Sequence, residues 1–192
     1  MKRKLIIALA LCLALALGIG GTMAYLTATT GPVVNTFTIG NVGLELKETL
    51  GTLDNSGKHQ FKMVPGNKIE KDPKVTVTKG SEACWLFVKL VKANDFDTYL
   101  TYDMADGWTE LTGVEGVAGV YYREVAQNDT ADQVFSVLSG DKVLVKTTAT
   151  LDAVNAGTFT QPTLTISAAA IQQAHINDAA TAYTNLPDAF KG

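Results

Sequence analysis

The stretch ACWLFVKLV, residues 83–91, is apolar at both odd and even positions, with Lys89 as the exception. A strand with one solvated face alternates apolar and polar residues, whereas a strand covered on both faces does not. Aromatic and β-branched residues within the run favour a strand over a helix. We therefore predict a central strand here, in which Trp85, Phe87 and Leu90 are buried.

Shorter strands are predicted on both sides of this run, because β-branched and aromatic residues recur there between clusters of Gly, Asn and Asp. Short helices are predicted near residues 94–102 and over residues 177–183, the second with Asn177 as its N-cap. The predicted fold is an all-β, jelly-roll-like antiparallel β-sandwich with one or two short helices. The other predicted strands cover residues 37–39, 42–46, 75–78, 120–125, 134–138, 142–151 and 163–171.

The first residues have the pattern of a secretory signal peptide. Three basic residues precede an apolar run over residues 5–19, which is shorter than the roughly 20 residues of a spanning helix. Thr22 and Ala24 then place small residues at positions −3 and −1 of a cut between Ala24 and Tyr25. The pattern predicts a secreted protein that meets the membrane only during export.

We expect the secreted protein to begin at Tyr25, because the small residues needed for cleavage follow directly on the apolar run. N-terminal sequencing of the protein in culture supernatant measures this. A product that keeps residues 5–19 and stays in the membrane fraction would contradict it. The predicted organisation is a signal peptide over 1–24, an arm and hinge over 25–32, and one β-sandwich domain over 33–192.

The predicted secreted chain is acidic and relies on its apolar core. Residues 1–24 contain three of the 16 basic residues and none of the 19 acidic ones, which leaves 13 against 19 and a net charge of −6. Nucleic-acid binding needs clustered Lys and Arg, so we exclude that class. Cys84 is the one cysteine that remains, so no internal disulfide is predicted. Its apolar surroundings indicate a buried side chain.

Motifs for catalysis are sparse. The histidines His59 and His175 are far apart, and the chain has no His-Glu-x-x-His helix, no paired cysteines and no Gly-x-Ser-x-Gly turn. His59 lies in the polar stretch DNSGKHQ and is predicted to be a solvated loop residue. We predict no enzymatic activity, cofactor or metal. A calcium site is left open by loop carboxylates whose spacing fits no EF-hand, namely Asp95, Asp97, Asp103 and Asp106.

Several blocks resemble one family of secreted proteins. They are GGTMAYLT (20–27), NTFTIGNV (35–42), VPGNKIEKDP (64–73) and GSEACWLFVK (80–89). Together they are similar to the TasA/camelysin family, whose members are processed by the SipW-type signal peptidase of Gram-positive bacteria. The resemblance implies a jelly-roll sandwich, secretion to the matrix or cell surface and, for the matrix members, assembly into biofilm fibres. The implied partners are further copies of the chain, minor matrix subunits and the SipW-type peptidase.

The residues that follow the cut predict a mechanism for assembly. Proline cannot donate to a strand ladder, so a Gly-Pro pair is expected to separate a strand-capable arm from the strand that starts at Val33, which leaves its pairing partner in another molecule. The arm can then add to the sheet edge of a neighbour, a head-to-tail contact that gives filaments. A frayed terminus is the alternative. The arm consists of Tyr25, Leu26, Thr27, Ala28, Thr29 and Thr30, and the hinge of Gly31 and Pro32, with Tyr25 and Leu26 expected to fill apolar pockets.

Three classes of function follow from these observations. The first is a structural fibre subunit that assembles by donation of its N-terminal strand. The second is a secreted monomeric module that binds carbohydrate or a host protein through its loops. The third and most distant is a camelysin-like metalloprotease, an activity that the resemblance suggests but for which this chain has no zinc motif.

Overall fold

The computed structural model describes residues 42–55, 57–150 and 159–192, together with the backbone of Thr27–Thr30. These residues form short strands and three short helices, and a 3-10 turn at Ser139–Asp141. In chain order they are β1 Thr27–Thr30, β2 Leu44–Lys47, β3 Thr52–Leu53, β4 His59–Gln60, β5 Lys68–Glu70, β6 Lys74–Val77, β7 Cys84–Ala93, α1 Phe96–Tyr99, β8 Leu100–Thr101, β9 Thr109–Glu110, β10 Val120–Val125, β11 Gln133–Ser136, β12 Lys142–Val145, β13 Thr163–Gln172, α2 Ala179–Thr184 and α3 Asp188–Lys191.

The strands form two packed layers. One layer is a five-stranded sheet with the order β1-β13-β7-β10-β9, and every pair in it is antiparallel. The other contains two three-stranded antiparallel sheets, β11-β6-β2 and β5-β12-β8. Strands β3 and β4 form a separate hairpin. The predicted all-β antiparallel sandwich is confirmed.

Strand β7 is buried on both faces, as its sequence predicts. Leu86 and Leu90 point into the main core between the two layers, which also contains side chains of β2, β6, β12 and β13. Trp85 and Phe87 point to the opposite face, where they pack with α2 and α3 in a second apolar cluster. The indole Nε1 of Trp85 donates to the carbonyl oxygen of Ile176 at 3.2 Å. The C-terminal helices therefore cover the second face of the central strand.

The helices differ in detail from the sequence prediction. The segment predicted near residues 94–102 is helical over Phe96–Tyr99 alone. The C-terminal helix α2 has Asp178 as its N-cap, whose carboxylate accepts from the backbone N–H of Thr181 at 2.8 Å. The prediction of Asn177 as the cap is wrong by one position, and α3 adds a further helix to the one or two predicted.

The observed ends of two strands also differ from the predicted ends. Strand β12 ends at Val145 rather than at residue 151. Its partner β8 begins at Leu100, and the next N–H, that of Lys146, donates to the carbonyl of Tyr99, the last residue of α1. Strand β11 ends at Ser136, and the next N–H, that of Val137, bonds to the carbonyl of Pro73. The predicted strand over residues 37–39 lies outside the described residues. No helix in the described ranges combines the length and the apolar character that crossing a membrane requires.

Candidate functional site

The described part of the predicted arm is the edge strand β1. It pairs antiparallel with β13 of its own chain, in a register that runs from Thr27 opposite Ile171 to Thr30 opposite Ala168. In the single chain the segment therefore pairs within its own domain, because the β13 edge offers it main-chain partners there. Its separation from the strand that starts at Val33 stays a prediction. Ala24, Tyr25, Leu26, Gly31 and Pro32 lie outside the described residues.

Strand β13 is much longer than the strand that covers its edge. Its ten residues pair along their whole length with β7, from Thr163 opposite Ala93 to Gln172 opposite Cys84. On its other side β1 pairs with four of them, residues 168–171. Within the described residues, no strand pairs with residues 163–167 on that side. An edge of this kind is a template for the backbone of another strand.

Three consecutive small residues define the covered part of this edge. Ala168, Ala169 and Ala170 have no solvent exposure, and they alternate between the main core and the second cluster. Since their side chains end at Cβ, the contact between β1 and β13 depends mainly on main-chain hydrogen bonds. Sequence reasoning named the arm and missed this acceptor, although the run SAAAI within an otherwise strand-like segment is a visible signal for it.

A cavity of about 470 Å³ opens beside the other end of β13. Its floor belongs to both layers of the sandwich, and its rim is formed by the β3–β4 hairpin and the residues after it. The floor is apolar and the rim is largely polar, a combination that is usual in ligand sites. Floor residues include Leu46, Ile69, Phe96, Leu100, Val143 and Ile166, and rim residues include Lys58, His59, Gln60 and Phe61.

A shielded ion pair lies in the cavity wall. The ammonium of Lys71 contacts Glu48 at 2.8 Å, and the two side chains are 10% and 14% exposed. The same ammonium lies 5.0 Å from the centre of the Phe61 ring. His59 stacks on Phe61 with ring centres 6.3 Å apart, and its Nδ1 is buried without a hydrogen-bond partner among the described residues. The prediction of His59 as a solvated loop residue is therefore wrong, because His59 lies on β4 and its ring is half-buried against Phe61.

A buried carboxylate anchors the start of the hairpin. Asp72 accepts hydrogen bonds from the Thr49 hydroxyl at 2.5 Å and from the backbone N–H groups of Thr49 and Leu50, each at 2.9 Å. Burial on its own raises the pKa of the Asp72 carboxyl, but these three bonds and the charge of Lys74 outweigh it and hold the pKa below its usual value.

Replacing Asp72 by Asn is expected to destabilise the protein by about 1–3 kcal/mol at pH 7, because an amide cannot accept all three bonds. A carboxyl with a lowered pKa in the folded state contributes its stability above the pKa of the unfolded chain, and this is lost as pH falls through the folded pKa. The difference between wild type and variant should therefore shrink in strongly acidic buffer. Urea unfolding at both pH values measures it, with the exposed Asp103→Asn as the control. A pH-independent difference would contradict this account.

The loop carboxylates that the sequence offered as possible calcium ligands do not form a common site. Asp97 pairs with Lys92 at 2.8 Å, and Asp95 accepts from the backbone N–H of Thr160 at 3.2 Å. The described residues contain no group of three His, Cys, Asp or Glu that could hold a metal ion.

Cys84 is a free, buried thiol, and burial raises its pKa to about 12, as expected of an unreactive core residue.

Comparison with known proteins identifies no relative of this chain. No family model, no curated protein and no solved structure matches the chain. The features that bear on function are therefore the β1–β13 edge and the cavity beside it.

Proposed function

We propose that the protein is the subunit of an extracellular fibre in which the N-terminal arm of one copy pairs with β13 of the next. The supporting observation is the pairing of β1, a four-residue edge strand, with a β13 edge that extends beyond it. The same edge that accepts Thr27–Thr30 in one chain is chemically suited to accept the same segment from another chain.

The energetics of such an exchange are close to balanced. A strand that moves from its own β13 to that of a neighbour exchanges one set of main-chain hydrogen bonds for an identical set. Each such bond contributes about 0.5–1.5 kcal/mol net, so four residues hold the arm only moderately. While β1 stays in place it covers the edge and limits premature association. Protein concentration then decides between the covered monomer and the polymer.

The exchange has a direction that leads to growth. The arm of one copy meets the edge of another, so the contact joins two different surfaces and need not close into a ring. Each added copy presents a new vacant arm or edge. An open filament is the expected product.

The remaining parts of the proposal rest on the resemblance to the TasA/camelysin family. Cleavage after Ala24 by a SipW-type signal peptidase would generate the free arm, and the product would be secreted to the matrix or cell surface. Minor matrix subunits are proposed partners through the same β13 edge. The protein is proposed to act without catalysis or a cofactor.

Electron microscopy and sedimentation of protein that begins at Tyr25 test the proposal. We expect filaments whose amount rises steeply with protein concentration. Protein that remains monomeric across the accessible concentration range would refute the fibre function.

A secreted binding module is the second candidate, and the cavity is the observation that favours it. Its volume of about 470 Å³ lies within the range of about 300–1,000 Å³ that is usual for ligand pockets. Monomers that retain a carbohydrate or a host protein would support this function. Filling the cavity with Leu46→Trp should abolish such binding and leave any filaments unchanged, which separates the two candidates.

A further inference from the structure

Arg123 is a half-buried cation that contacts two aromatic rings. It lies on β10, and its guanidinium carbon is 4.0 Å from the centre of the Phe135 ring and 5.3 Å from that of Trp108. The indole of Trp108 is itself fixed by a 2.8 Å hydrogen bond to the carbonyl oxygen of Ser136. Both rings therefore lie within cation–π distance of the guanidinium, and its N–H groups determine what else it binds.

The guanidinium has no anionic partner in the described part of the chain. None of the ion pairs there includes Arg123, and its Nε is buried without a hydrogen-bond acceptor. Burial lowers the pKa of Arg123, yet an arginine stays protonated in proteins at neutral pH. A shielded charge with unused donors is unfavourable unless an anion compensates it.

The choice of residue at this position also points to recognition. After residue 24 the chain contains twelve lysines and a single arginine, Arg123. Arginine differs from lysine in its planar group, which stacks on rings and binds carboxylates through two parallel hydrogen bonds. If the position required only a positive charge, a lysine, the cation found at the other twelve positions, would be sufficient.

A glycine lies against the guanidinium beside its two Nη groups. Gly107 has φ +85, and a Cβ built there would lie 2.9 Å from Nη2, 3.3 Å from Cζ and 3.4 Å from Nη1 of Arg123. Any other residue would place its side chain against these two nitrogens. Because Nε is buried, the pair Nη1 and Nη2 is the edge through which a ligand can approach.

We propose that Arg123 is a carboxylate-binding site, in which the two Nη groups receive a carboxylate over Gly107 between Trp108 and Phe135. The carboxylate can belong to a small organic acid or to an acidic side chain of a second copy, since the chain carries more acidic than basic residues. Arg, Trp and other aromatic residues are the types that dominate binding energy in interfaces. The inference does not depend on the proposed fibre function.

Nuclear magnetic resonance of protein that begins at Tyr25 tests the site. That chain has one arginine, so its side-chain Nε–H signal is unique, and the Trp108 indole N–H is a second reporter. Sodium acetate should shift both signals in a saturable manner, and sodium chloride at equal ionic strength should not. In Arg123→Lys the Trp108 signal should need about fivefold to tenfold more acetate, because lysine keeps the charge and loses the paired donors. Circular dichroism checks that this variant stays folded, and Lys79→Gln, which changes an exposed cation elsewhere, should bind acetate as the wild type does.

The source of the carboxylate is determined by measuring the Arg123 Nε–H and Trp108 indole N–H signals in samples without acetate. A shift on raising the protein concentration that precedes any sedimenting filament assigns it to a second copy, and the absence of such a shift assigns it to a free acid. An acetate response equal to that of chloride, or equal in Arg123→Lys, would overturn the proposal. Saturation by phosphate at lower concentration than by acetate would overturn the carboxylate class.

Discussion

Protein that lacks residues 25–30 is expected to form no filaments and to keep its sandwich fold. The arm is the donor in the proposed contact, so its loss removes the strand that β13 of the next copy would accept. In the single chain the deletion removes four paired edge residues, which should lower the melting temperature by about 2–4 °C per kcal/mol lost. Electron microscopy and sedimentation report assembly, and circular dichroism reports folding.

A disulfide between β1 and β13 provides a matched control that keeps the arm. Thr29 and Ala169 are directly opposite each other, so cysteines at both positions can hold the arm on its own chain. The oxidised variant should stay monomeric, and reduction should restore filament growth. Each single cysteine variant should assemble as the wild type does.

Two results would count against this account. Filaments from the shortened protein would show that the arm is not the donor. A shortened protein that fails to fold would show that β1 is an essential internal strand of its own sandwich rather than an exchangeable one.

Replacing Phe87 by Ala is expected to cost about 3–5 kcal/mol of folding free energy. Phe87 is fully buried on the helix-covered face of β7, with ring centres 6.2 Å from Tyr122 and 6.0 Å from Tyr183. Its truncation leaves a cavity between the sheet and the C-terminal helices, where rigid neighbours on both sides limit collapse. Urea unfolding, with the slope unchanged and the midpoint lowered, measures the loss.

Val91 on the same strand is the control for this prediction. It is 44% exposed, so Val91→Ala should change the free energy of unfolding by less than about 1 kcal/mol. Equal effects of the two substitutions would show that the helices α2 and α3 do not cover Phe87 as described.

The sequence by itself determined the class of the fold and its central strand. Residues 83–91 are apolar at both parities, and that local property is sufficient to predict a strand covered on both faces. Val120–Val125 has the predicted bounds, and β13 extends the predicted 163–171 by one residue, because alternation and turn residues are also local signals. The arm was recognisable for the same reason, from a short strand-like segment before a Gly-Pro pair.

The tertiary structure decided which segments meet. The partner of β1 is more than a hundred residues away at β13, and Arg123 meets the ring of Trp108 from the loop before β9 and the ring of Phe135 from β11. His59 is half-buried against Phe61 in a hairpin, and the helix cap falls on Asp178 rather than on its neighbour. These outcomes depend on contacts between residues distant in sequence, and a local pattern contains no information about the partner.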